Sequence, residues 1–142
     1  MLDDFSSVPS DCVMFNLRRA ARIVSRRYEE ALRPVGLRAG QFSILIALSQ
    51  QPQVPLGALA DGLGMERTTL TRNLRPMIRR GLLADSPDRN DARVRLLSLT
   101  DEGRALLKRA SPLWQKAQEE TFDRLPEALW PDTRQRLQAL AG

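Results

Sequence analysis

One stretch, Leu56-Gly-Ala-Leu-Ala-Asp-Gly-Leu-Gly-Met-Glu-Arg-Thr-Thr-Leu-Thr-Arg72, leaves the chain few ways to fold. Leu56 to Leu63 and Arg67 to about Arg80 each carry apolar residues at helical spacing, and only Gly64, Met65 and Glu66 separate them. That is the order of a helix-turn-helix. Ala60 is small enough for the two helices to approach closely, and Gly64 suits a left-handed turn. In the second helix Leu70, Leu74, Met77 and Ile78 share an inner face, while Arg67, Thr68, Thr71, Arg72 and Arg75 project away from it, with Thr69 alongside. From Arg67 to Arg80 there are five arginines and no acid. These residues are the first candidates for contact with double-stranded DNA, because a guanidinium pairs with phosphate or guanine and a threonine methyl touches thymine. A soluble surface helix would carry the same charge, so the segment that follows decides between the two readings.

Leu82 to Asp85 reads as a short strand, Pro87 to Ala92 as a polar tip and Val94 to Leu99 as a returning strand. Arg89, Arg93 and Arg95 lie on or beside the tip of this hairpin and are matched by Asp85, Asp88 and Asp91, which makes it formally neutral. The acids are expected to orient the arginines. An arginine-bearing wing beside a recognition helix lies along the neighbouring minor groove or backbone, so Arg89, Asp91, Arg93 and Arg95 join the candidate DNA contacts.

Long amphipathic helices flank this unit. From Asp11 to Arg33, Val13, Leu17, Ala20, Ala21, Val24, Tyr28 and Leu32 form one stripe, on a helix on the order of 34 Å long. Ser10 is the expected N-cap, and Pro34 with Gly36 ends the helix. Ala39 to Gln50 reads as a core helix with Phe42, Leu45, Ile46 and Ser49 on one side. Thr100 caps a helix from Asp101 to about Asp123, whose stripe is Leu106, Leu107, Ala110, Leu113, Trp114 and Ala117, and Pro112 predicts a kink within it. A last helix, Pro131 to Leu140, carries Leu137 and Leu140. The first and last helices present more apolar surface than one small domain covers, which predicts a homodimer. The expected fold is mainly α with a small β-hairpin wing. It is a single domain over 1–142, in which 11–35 and 101–142 are dimerisation helices and 38–99 is a winged helix-turn-helix lobe.

Composition narrows the function. Of 22 basic residues 20 are arginine, the net charge is +5, histidine is absent and Cys12 is the single cysteine. Without histidine or a thiolate cluster the usual general base and metal ligands are missing, and neither a GxxxxGK[ST] loop nor a GxGxxG turn occurs. Neither an enzyme nor a metal or cofactor is expected. No apolar run approaches the roughly 20 residues that span a bilayer. Met1 to Ser10 carries Asp3 and Asp4 and no basic residue, unlike a signal peptide. A cytoplasmic protein with no membrane partner is expected.

Read together, Tyr28-Glu-Glu-Ala-Leu-Arg-Pro-Val-Gly-Leu37, Gln41-Phe42, Leu59-Ala60, Thr71-Arg72, Arg80-Gly-Leu82, Asp91-Ala-Arg93 and Leu99-Thr-Asp-Glu-Gly103 resemble the MarR family of bacterial regulators, from about Val13 to Ala141. The resemblance implies a two-fold dimer, built by the first and last helices, whose two lobes read a pseudo-palindromic operator. It also implies a repressor released by a small phenolic or anionic effector. Arg93 resembles the family's wing arginine that enters the minor groove, and Asp91 the acid that holds it. Asn90 stands where many members have a second wing arginine, and Pro76 falls inside the recognition helix. Effectors in this family lodge between the dimer helices and the lobe, where Asn16, Arg19, Phe42 and Trp114 are the candidates, Arg19 for a carboxylate. Two alternatives stay open. One is redox sensing through Cys12, although the family's sensing cysteine would align with Met14 and its supporting tyrosine with Ala39. The other is a winged helix that coats DNA without sequence choice or serves assembly.

Overall fold

The computed structural model describes residues 4–142, so Asp3 and the start of the N-terminal segment lie outside the described residues. A short helix α1 (Val8–Asp11) leads into the long α2 (Val13–Leu32). Pro9 in the first turn of α1 starts it as a separate helix. Ser10 is therefore not the cap of the long helix: its hydroxyl donates to the Ser7 carbonyl at 2.9 Å. The cap is Cys12, whose Sγ accepts the Phe15 N–H at 3.5 Å. At 20 residues, α2 is about 30 Å long. A single 3-10 turn, Arg33–Val35, follows, and Gly36 closes it at φ 67°.

The lobe begins with α3 (Ala39–Ser49), continues through a two-residue strand β1 (Val54–Pro55) into α4 (Leu56–Leu63), and turns at Gly64, φ 63°, into α5 (Arg67–Arg79). Strands β2 (Leu83–Pro87) and β3 (Arg95–Leu99) form the wing. The sheet is antiparallel in the order β1-β3-β2, with Val54 opposite Leu97, Leu83 opposite Leu99 and Pro87 opposite Arg95. Strand β2 thus runs two residues further toward the tip than Leu82 to Asp85. Pro87 is accommodated at its end because β2 is an edge strand. Beyond the wing come α6 (Asp101–Phe122), a 3-10 turn Glu127–Leu129, and α7 (Trp130–Ala141). Pro76 and Pro112 both sit inside uninterrupted helices.

The core lies where α3, α4, α5, the sheet and the first half of α6 meet. Ile44, Leu45, Leu48, Leu70, Met77 and Leu97 are fully buried there, each contributing about 1.5–3 kcal/mol of burial. The inner face of α3 is Gln41, Ile44, Leu45 and Leu48, whereas Ile46 and Ser49 are exposed and Phe42 is half-buried. Apolar residues surround most of this helix, so its own periodicity does not choose a face and the neighbouring elements do. The stripe of α6 holds as read, with Leu106, Ala110 and Ala117 buried and Leu107, Leu113 and Trp114 half-buried.

At the start of α6 the packing is backbone against backbone. The Thr100 hydroxyl accepts the Gly103 N–H at 3.1 Å and donates to the Gly81 carbonyl at 2.6 Å. A Cβ on Gly103 would lie 2.3 Å from the Leu82 carbonyl oxygen and 2.7 Å from Leu99 Cδ1. Alanine is favoured over glycine in a helix by about 1 kcal/mol, but here the overlap dominates. Gly103→Ala is expected to lose about 1–3 kcal/mol in urea unfolding; unchanged stability would show that the joint between wing and α6 has slack.

Candidate nucleic-acid interface

Helix α5 divides its two faces sharply. Leu70, Leu74 and Met77 are buried against the lobe, and a shallow groove of about 350 Å³ on the opposite side is lined by Arg67, Thr68, Thr71, Arg72 and Arg75. These five residues form one surface. Thr71 donates its hydroxyl to the Arg67 carbonyl at 2.8 Å, which leaves lone pairs and a methyl group for a partner. Thr69 stands apart from this surface: it is half-buried, and its carbonyl accepts from the Asn73 amide at 2.9 Å. Arg80, just past the end of α5, is engaged elsewhere. Its guanidinium donates to the carbonyls of Gly36 at 2.7 Å and Val35 at 3.3 Å, joining the base of α5 to the turn after α2.

The wing tip is shaped by its aspartates. Asp88 accepts the Asn90 N–H at 2.9 Å, and the Asp88 N–H donates to the Val94 carbonyl at 2.9 Å. Asp91 accepts from Arg93 three times, from the backbone N–H at 3.1 Å, Nε at 3.1 Å and Nη2 at 3.2 Å. The Arg93 side chain is nevertheless 91% exposed, so the pair presents it outward. The hydrogen bonds from the Arg93 side chain, then from its backbone, hold the Asp91 carboxyl below its usual range. Arg95 donates Nε to Asp85 at 2.8 Å and pairs with it through a second nitrogen, which raises the Arg95 pKa above its ordinary value. Arg89 is exposed at the tip.

Between wing and helix lies a cleft of about 420 Å³. Arg67, Arg93 and Arg95 line it, Asp61 lies on its wall, and Leu56 and Gly57 of the first turn of α4 form part of its floor. Sequence reasoning did not single out Gly57 or Asp61; a glycine inside a helical pattern was the available signal.

Among the described residues, the four effector candidates have separate surroundings. The Asn16 amide is taken up by the carbonyls of Cys12 at 2.9 Å, Pro9 at 3.0 Å and Ser10 at 3.4 Å, which fixes α1 against α2. Arg19 is exposed, Trp114 is half-buried, and Phe42 packs on the lobe core. An apolar groove of about 450 Å³ runs between α2, α6 and α7, from Leu17 through Val24, Tyr28 and Phe122 to Trp130 and Leu137. Within it the Tyr28 hydroxyl donates to Gln118 Oε1.

A helix-turn-helix whose recognition helix is flanked by an arginine-bearing wing, set between long helices with apolar faces, defines the winged-helix class of regulator. The MarR family profile matches residues 37–94. By sequence the chain is 32% identical over 85 residues to the transcriptional regulator HosA of Escherichia coli O157:H7, covering 60% of this chain and 63% of HosA. The chain thus spans less than two thirds of the curated relatives it matches first. Over nearly its whole length the fold is similar to the M. tuberculosis transcriptional regulator MosR in complex with DNA, with TM-score 0.83, 40% identity, and 92% and 94% of the two chains covered. It is also similar to CouR of Rhodococcus jostii RHA1 bound to p-coumaroyl-CoA, with TM-score 0.81, 27% identity and 93% of each chain covered. The chain belongs to the MarR family.

The Asp91 shift fixes the sign of a pH effect. A carboxyl whose pKa is lowered by folding stabilises the wing tip fully above its ordinary value, and that contribution disappears as pH falls through the lowered one. The NMR shift of the Arg93 amide is expected to stay constant from about pH 7 to pH 5 and to move only below about pH 4. A midpoint above that range would show that Arg93 does not hold the carboxylate.

Proposed function

We propose that this protein is a sequence-specific regulator of transcription that binds double-stranded DNA as a homodimer, without a catalytic role, in the cytoplasm. The observation that carries this reading is the single outward surface of Arg67, Thr68, Thr71, Arg72 and Arg75 on α5, beside a wing that presents Arg93 on an Asp91 support. A recognition helix of this composition reads base edges in the major groove, and the wing arginine follows the adjacent backbone or minor groove. The complex of the relative MosR with DNA supports it.

The second copy is argued from the uncovered apolar surface. Along α2 and α7, Val13, Met14, Phe15, Leu137 and Leu140 are exposed, Leu140 at 63%, and Leu137 lines the groove between α2, α6 and α7. Monomeric proteins rarely leave such a surface open. Two lobes related by a two-fold axis then read a pseudo-palindrome with half-sites about 10 base pairs apart. Release by a small phenolic or anionic effector, which makes the protein a repressor, fits the p-coumaroyl-CoA bound by the relative CouR. Calorimetric titration with aromatic acids and their CoA thioesters tests that part, and silence across such a panel would remove it.

Selection from a random duplex pool is expected to yield an inverted repeat; enrichment of no sequence would sink the regulator reading. On the selected duplex, Arg72→Ala is expected to cost about 1–3 kcal/mol and to relax preference at one position in each half-site. Arg93→Ala should weaken selected and random duplexes alike and reduce the slope of log affinity against log salt by about two per dimer, at ~0.9 per phosphate. An Arg72→Ala protein with its specific-to-random ratio intact would mean that another face of α5 reads the bases.

Deleting Leu125 to Gly142 removes α7 and one wall of the groove. The product is expected to be monomeric or insoluble and to lose operator affinity. A soluble truncated dimer that binds as before, seen by light scattering and gel shift, would refute the dimer arrangement.

A further inference from the structure

Gly57 is the second residue of α4, and the guanidinium of Arg67 lies directly over it. A Cβ at Gly57 would stand 2.7 Å from Arg67 Nη2, 3.2 Å from Cζ and 3.6 Å from Nε. Such an approach is open only to glycine. It lets the first arginine of α5, at the edge of the outward surface, also reach the cleft that Arg93 and Arg95 line from the wing. The three guanidinium groups differ in what they have free. Arg93 and Arg95 each give Nε and Nη2 to an aspartate and keep Nη1. Among the described residues Arg67 forms no ion pair, although Asp61 lies on the same wall. A guanidinium offers five N–H donors in a fixed fork, a geometry suited to the oxygens of one phosphate.

We infer that this cleft seats one phosphodiester of the DNA backbone in each half-site, held by Arg67 from the helix and Arg95 from the wing while Arg93 reaches past it to the minor groove, and that Gly57 is the positioning residue that makes room for it. The inference rests on the DNA-binding reading and deepens it. Arg67 then belongs to the backbone contacts, and base reading falls to Thr68, Thr71, Arg72 and Arg75. The clamp also fixes where the strand passes from the recognition helix to the wing, which sets the register of one against the other.

Gly57→Ala is the discriminating variant because its new methyl meets only the far end of a flexible side chain. The fold is kept, and helix preference favours the alanine. The melting temperature is therefore expected to hold or rise while affinity falls, a combination that a structural role for Gly57 would not produce. The probe is the selected duplex carrying a single neutral methylphosphonate, moved through every position. In the parent protein one position per half-site is expected to lose affinity roughly tenfold. At that position Gly57→Ala and Arg67→Ala, already weakened, should lose little more. Both variants should also show a salt slope smaller by about two per dimer, at ~0.9 per contact. Equal losses in parent and variants at every position would overturn the assignment.

A second arm replaces chloride by inorganic phosphate at equal ionic strength without DNA. If phosphate raises the parent's melting temperature, leaves that of Gly57→Ala unchanged, and no scanned position is coupled, the cleft serves a free ion and the clamp is refuted. Failure of the parent to select any sequence removes the regulator reading itself. A parent that binds its selected duplex but shows no coupled phosphate removes only the clamp.

Discussion

Burial of Leu70, Leu74 and Met77 on one side of α5 is the constraint from which the rest of the molecule follows. A peptide with five arginines and no acid between Arg67 and Arg80 repels itself and has no reason to settle in one orientation. Seating its leucine face against Ile44, Leu45 and Leu97 gives it one. The arginines are then displayed by exclusion, pointing where the core is not. Their number sets the attraction for a polyanion, while the leucine register sets which of them face it together.

Around that seat the molecule uses short polar ties rather than further core. Thr100 ties the start of α6 to Gly81 ahead of β2, Asp91 holds Arg93, Asp85 holds Arg95, and Tyr28 meets Gln118 between the long helices. The wing pairs are exposed, and exposed pairs are worth little as stability. Their effect is on geometry. An arginine on a hairpin tip samples many rotamers, and a carboxylate two residues away that accepts both Nε and Nη2 removes most of them before any partner arrives.

How much of this was legible in the sequence depended on whether the signal was local. The helix-turn-helix could be read because Gly64 and the Leu70, Leu74 and Met77 spacing are each contained within a turn or two of chain. The acid partner of Arg93 could be read for the same reason, being two residues away. The face of α3 could not, because a helix apolar on most sides defers to its neighbours. Strand β1, two residues long, carries no periodicity at all. Thr69 looked like a sibling of Thr68 but is turned partly inward, since side chains one position apart diverge by about 100° on a helix. Ser10 looked like a cap until Pro9 began a helix of its own. The Gly57 and Arg67 approach and the Arg80 bonds to Gly36 and Val35 join residues that no spacing rule connects, so only the assembled fold reveals them.

The Arg80 bonds have a mechanical meaning. They span the one place where α2 and the reading lobe are joined by a short turn closed by a left-handed glycine. The side chain is exposed, and a bond that water can replace is worth only about 0.5–1.5 kcal/mol. It behaves as a latch and not as a weld. Leu32, fully buried in the lobe core, carries the joint, and the Arg80 bonds hold the turn that follows it. Losing one such bond shifts the local opening of that turn by at most about a factor of ten.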